Sequence, residues 1–162
     1  MLTRTTLRIL ALVMLAVSPG AGALDMPLTD MHGKQANLED YLGKWVVVNY
    51  WATWCPPCVG EMPELQIFHD AHAQSDAVVI GINLESIGRD RLQAFLDDYF
   101  ITYPIYVSPP ARQSELGLIP GLPTTFMVSP EGKVMKRVVG PVTRGMLEEY
   151  IKQHGPIMRV AK

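Results

Sequence analysis

The stretch from Trp51 to Leu65 reads WATWCPPCVGEMPEL and holds both cysteines of the 162-residue chain, Cys55 and Cys58. A pair at this spacing can be a structural staple, half of a metal site, or a dithiol that opens and closes. As a staple it is weak, because so short a loop constrains the unfolded chain little. A structural zinc site needs four ligands, commonly from two such pairs, and the chain has no further cysteine. His69 and His72 lie three apart but ~17 Å beyond Cys58 along a helix rising 1.5 Å per residue, and they read as solvated surface residues. The methionines form no motif. No metal and no cofactor is expected, and a redox couple remains.

Such a couple has to be held in place. The residues Trp45 to Trp51, WVVVNYW, are β-branched and aromatic without alternation, the pattern of a strand buried on both faces. From Pro57 to about Ala73 the pattern is helical, with Val59, Met62, Leu65 and Phe68 every three residues and Ile67 and Ala71 extending the stripe. Pro56 and Pro57 suit a helix start, whereas Pro63 deletes one backbone hydrogen bond inside it. This order places Cys55 at a helix N-terminus, where unpaired amides and the helix dipole favour the thiolate that attacks disulfides. Cys58, one turn in, can close back on Cys55 and release a mixed disulfide. Neither proline has an amide hydrogen for the Cys55 sulfur, and no histidine or lysine separates the cysteines. A moderate lowering of the Cys55 pKa follows. Glu61, on the first turns of this helix, is read as facing solvent.

Further along, Met31 to Lys34 reads as a turn between two short extended segments, followed by a helical turn near Leu38 to Leu42. Ala77 to Leu84 reads as a second buried strand. Arg89 to Phe100 reads as an amphipathic helix with Leu92, Phe95, Leu96 and Tyr99 inward. Pro104 to Val107 is extended, Ala111 to Leu118 is a short helix, and Arg144 to His154 is a final helix. Thr124 to Val128 and Lys133 to Val139 flank the turn Ser129-Pro130-Glu131-Gly132, a hairpin signal. Helices alternating with strands, then a hairpin and a helix, predict an α/β domain with a mixed sheet flanked by helices.

The length suits one domain, and a net charge of −2 gives no electrostatic support to nucleic-acid binding. Arg4 and Arg8 precede an apolar run from Ile9 to Val17, and small residues Ala21 and Ala23 follow. This reads as a signal peptide over residues 1–23, leaving a domain over residues 24–162. The run falls short of the roughly 20 apolar residues that span a bilayer, although an uncleaved anchor is the rival reading. Export, to a periplasmic location, would put the cysteines where disulfides persist.

The segment VVVNYWATWCPPCVGEMPEL resembles the thioredoxin-like proteins of the TlpA/ResA type, whose pattern is close to V-N-F-W-A-T-W-C-x-P-C-x-x-E-x-P-L. Gly121-Leu122-Pro123-Thr124-Thr125-Phe126 resembles their loop bearing a cis-proline. The resemblance covers nearly all of residues 26–152. It implies a thioredoxin fold with an extra N-terminal β-hairpin and a thiol–disulfide oxidoreductase in which Cys55 attacks and Cys58 resolves. It further implies a cis Pro123 facing the pair, with Trp54, Pro57, Leu122 and Thr124 forming the substrate surface. Trp51 is as readily a packing residue. Thioredoxin carries a buried aspartate where Asn49 stands, and asparagine cannot accept the Cys58 proton. Glu85, at the end of the second strand, is the candidate base.

The resemblance implies disulfides of exported proteins as substrates, such as cytochrome c apoproteins or copper-site cysteines. It also implies a membrane electron donor of the DsbD or CcdA type. A reductive direction and a monomer are expected, because the sequence has neither the helical insert of DsbA-type oxidases nor room for a dimerisation domain before Cys55. A peroxidase would need P-x-x-x-T-x-x-C, and Val48 and Ala52 stand at the two key positions. The alternative outside enzymes is a redox-inert or metal-delivering thioredoxin-like binding module.

Overall fold

A computed structural model describes residues 24–155. The expected signal peptide, residues 1–23, lies outside the described residues. The chain order is β1 (Pro27–Thr29), β2 (Gln35–Asn37), a 3-10 turn (Leu38–Tyr41), β3 (Trp45–Trp51), α1 (Pro56–His72), β4 (Ala77–Asn83), α2 (Arg89–Asp98), β5 (Ile105–Val107), β6 (Gln113–Ser114), β7 (Gly117–Leu118), β8 (Thr124–Val128), β9 (Val134–Val139) and α3 (Arg144–His154). The central sheet runs β5-β4-β3-β8-β9. β3 pairs parallel with β4 and antiparallel with β8, so the strand that delivers the cysteines has a neighbour on each side.

Every residue of β3 and β4 is buried, and the pleat sends alternate side chains to two cores. Trp45, Val47 and Trp51 face a cluster built with Cys58, Met62, Leu65 and Phe68 of α1, Leu92 and Leu96 of α2, and Leu147 and Ile151 of α3. Val46, Val48 and Tyr50 face a cluster closed by Met26, Leu28 and Leu38 of the N-terminal segment and by Leu116 and Ile119. The β1–β2 hairpin is thus part of the core. Asn37 caps the 3-10 turn by accepting from Glu39 N–H at 3.1 Å, while Asp40 accepts from Asn37 N–H at 2.8 Å.

The structure corrects three expectations. Ala111 to Leu118 is a small hairpin, β6–β7, in place of a helix. Ile119 N–H donates to Arg112 O at 2.8 Å, and Gly117 takes a φ of 132°, which no helix accommodates. The inward stripe of α1 stops at Met62, Leu65 and Phe68, because Ile67 and Ala71 are exposed. α2 ends at Asp98, which leaves Tyr99 beyond it and exposed.

Candidate active site

β3 ends at Trp51, and the chain turns through Ala52-Thr53-Trp54 into α1. Cys55 N–H donates to Ala52 O at 3.2 Å, and Leu84 N–H donates to Trp51 O at 2.9 Å. Cys55 is the N-cap of α1 and makes no side-chain capping bond. It is joined to Cys58 by a disulfide, with Cα atoms 5.3 Å apart. Pro56 and Pro57, the first two helical residues, have no N–H, and Val59 N–H donates to Cys55 O at 3.1 Å. The Cys58 amide is therefore the single orphan donor of this helix end able to face a Cys55 thiolate. Cys55 keeps 4% of its surface and Cys58 none, which suits Cys55 to attack and Cys58 to resolve.

Around Cys55 lies a groove of about 570 Å³, in which Trp54, Pro56, Pro57 and Leu122 stand with it. Trp54 is 68% exposed. Leu122–Pro123 is a cis peptide. Pro123 is buried, and its carbonyl accepts from Gly140 N–H at 2.9 Å. Thr124 is fully buried, and its hydroxyl donates to Gly121 O at 2.7 Å. Its side chain therefore shapes the loop, whereas Trp54, Pro57 and Leu122 line the groove.

The structure overturns the reading of Glu61 as solvent-facing. Only 2% of the residue is exposed. Three residues after Cys58 on α1, it shares that residue's inward face. Asn49 Nδ2 donates to Glu61 Oε1 at 2.7 Å and to Thr125 Oγ1 at 3.0 Å. Val142 N–H donates to Glu61 Oε2 at 2.7 Å. Burial pushes the carboxyl up to about 7, against the opposing pull of the Val142 and Asn49 donors. A buried carboxyl poised near neutrality is a proton acceptor suited to a thiol. The signal lay in the spacing, since Cys58, Glu61 and Leu65 fall on one helical face.

Glu85, the expected base, accepts from the Thr53 hydroxyl at 2.9 Å, and its N–H donates to Asn83 Oδ1 at 3.2 Å. It borders a separate recess with Met31 and Ile87, apart from the Cys55 groove. His69 is half-buried, contrary to the surface reading. Its Nδ1 accepts from Val79 N–H at 3.2 Å, and burial lowers its pKa. His72 pairs with Asp76 at 2.8 Å. Among the described residues, no three His, Cys, Asp or Glu side chains gather as a metal site.

A mixed sheet with a Cys-X-X-Cys disulfide at a helix N-terminus, opposite a cis-proline loop, defines a thioredoxin-fold thiol–disulfide oxidoreductase. Comparisons with known proteins agree. A family model described as AhpC/TSA family matches residues 19–137. The chain is 35% identical over 145 residues to the thiol-disulfide oxidoreductase ResA of Geobacillus thermodenitrificans, covering 86% of this chain and 77% of that one. A secreted thiol-disulfide isomerase from Corynebacterium glutamicum superposes with a TM-score of 0.67 at 28% identity, covering 77% of this chain and 80% of that one. A thiol:disulfide interchange protein of the thioredoxin family from Chlorobium tepidum gives 0.70 at 26% identity, covering 81% and 93%. The chain belongs to the AhpC/TSA family, and within it to the thiol–disulfide oxidoreductases of the TlpA/ResA type.

Proposed function

We propose that this protein reduces disulfides in exported proteins. The Cys55 thiolate attacks a substrate disulfide, an intermolecular S–S bond forms, and one substrate sulfur leaves as a thiolate. Cys58 then gives its proton to Glu61 and attacks Cys55. The Cys55–Cys58 disulfide closes, the second substrate sulfur leaves, and two electrons have passed to the substrate. Glu85 holds the Thr53 turn ahead of Cys55.

The electrostatics of the cysteine pair carry the reductive direction. A strong oxidant of this class owes its potential to a stabilised reduced form. Here Cys55 has one orphan amide at its helix end, and Cys58 shares a buried helix face with the Glu61 carboxyl, whose ionised form disfavours a second negative charge. The reduced form is poorly stabilised, so the pair gives its electrons away. The four residues between α1 and β4 leave no room for a helical insert of the DsbA kind.

The Corynebacterium neighbour is described as secreted. Together with the signal-like N-terminus, that supports a periplasmic location. A reductant there has to be recharged, and a membrane donor of the DsbD or CcdA type fits. The protein works as a monomer on cytochrome c apoproteins or copper-site cysteines. The deciding experiment equilibrates the protein in graded thiol–disulfide buffers and counts alkylated thiols by mass. A potential near or below about −230 mV is expected, whereas one near about −120 mV would make the protein an oxidant and refute the direction.

A further inference from the structure

The groove beside Cys55 has a single charged side chain in its wall. Four prolines, Trp54 and aliphatic residues make up most of the lining, and Arg112 is the exception. Arg112 is exposed, and among the described residues its guanidinium makes no ion pair. Its backbone is nonetheless fixed. Ile119 N–H closes on Arg112 O at 2.8 Å, and the β6–β7 pairing of Gln113 with Leu118 lies between them. Leu116 and Ile119 root this hairpin in the core. Glu115, on the same hairpin, borders the neighbouring recess and leaves Arg112 without an acidic neighbour in the groove.

A guanidinium against apolar walls attracts a carboxylate more strongly than one in open water, because low-dielectric walls focus its field. Its planar fork also matches a carboxylate bidentately. At about 570 Å³, the groove takes several residues of extended chain, and the Gly121-Leu122 segment lines it beside Cys55. We propose that Arg112 is a specificity residue: the protein segment reduced at Cys55 carries an Asp or Glu side chain near its disulfide, with apolar neighbours seated on Trp54 and the prolines. This rests on the thiol–disulfide reading of Cys55.

The test uses one peptide disulfide with Asp, Asn or Lys placed in turn at each position flanking the reactive cysteine. Rates are measured at low ionic strength with the reduced full chain, and only ratios within a variant are compared. At one or more positions the native protein should reduce the Asp peptide up to about fivefold faster than the Asn peptide, the upper end of what an exposed ion pair gives. Arg112→Gln should bring the ratio to one, and Arg112→Glu should favour Lys over Asp. Equal Asp and Asn rates at every position, or a preference that survives Arg112→Gln, overturns the proposal. A dependence on Arg112 seen only in the rate with glutathione disulfide, a small tetracarboxylate, and not in the peptide ratios also overturns it. Failure of the native protein to reduce even the neutral peptide would sink the thiol–disulfide reading itself, and this inference with it.

Discussion

Replacing Glu61 with glutamine tests the buried carboxyl directly. The fold raises its pKa from 4.5 to about 7. At 1.36 kcal/mol per unit, that difference corresponds to about 3 kcal/mol between the two protonation states. With 2% of the residue exposed, solvent screening takes little of it. The folded protein binds this proton more tightly than the unfolded chain does. The Glu61 contribution to stability is therefore full at and below about pH 4.5, falls as pH rises to about 7, and is flat above. His69 acts in the opposite sense. Its lowered pKa means that the unfolded chain binds the extra proton, so stability rises as pH climbs toward 6.5. That contribution is common to both proteins and cancels in their difference. Urea unfolding of the oxidised proteins between about pH 4.5 and 8 should show Glu61→Gln gaining about 3 kcal/mol on the native protein across the range. The variant should fold, because Asn49 Oδ1, buried and without a partner, can turn to accept from the new amide. Release of the mixed disulfide should slow by about a hundredfold, the lower end for a lost general base. Parallel stability curves would refute the reasoning, because Glu61 would then not titrate between 4.5 and about 7.

Two further substitutions separate surface from scaffold. Trp54→Ala should leave stability within about 0.5 kcal/mol, since the ring is exposed, and lower kcat/KM for protein disulfides by about tenfold, a loss within the range of interface aromatics. Thr124→Val leaves Gly121 O without its hydroxyl donor. It should cost about 1 kcal/mol in urea unfolding and raise KM more than it lowers kcat, because the loop that lines the groove loosens.

Reading β3, α1, β4, the β8–β9 hairpin and α3 from sequence succeeded because each carries a long local signal. The two central strands are apolar runs broken inside only by Asn49, and Arg144–His154 is bounded by a Thr143 cap that accepts from Met146 N–H. The Ala111–Leu118 segment failed because its signal is tertiary. Leu116 and Ile119 are apolar at helical spacing, but they are buried under the sheet from a hairpin. Ile67 and Ala71 fit the period of α1 yet lie beyond the strip that the sheet covers. Cys55, Cys58 and the cis-proline loop were legible because motif and chemistry coincide. Glu61 was missed because an acidic residue early in a helix ordinarily faces water, and its burial depends on Asn49 and Val142, 12 and 81 residues away in sequence.

The Asn49–Glu61 contact makes the location of the base testable as well. Asn49→Asp alone sets two carboxylates about the present 2.7 Å apart in a site closed to water. They must share one proton, so that variant should lose stability above about pH 7. Combined with Glu61→Gln, every bond can survive, with the two that Asn49 now donates reversed in polarity and the Val142 bond unchanged. The introduced glutamine would donate to the introduced aspartate and accept from Val142 N–H, and the Thr125 hydroxyl would turn from acceptor to donor. One carboxylate is again buried beside α1, now carried by the strand. If the resolving step needs a buried proton acceptor and not Glu61 in particular, the double variant should recover at least about tenfold of the rate that Glu61→Gln loses, within the range a general base supplies. Trapping the mixed disulfide by acid quench and following its decay measures this. A folded double variant that decays as slowly as Glu61→Gln alone would show that a carboxylate on β3 cannot take the Cys58 proton, and that the helix position next to the resolving thiol is what the reaction uses.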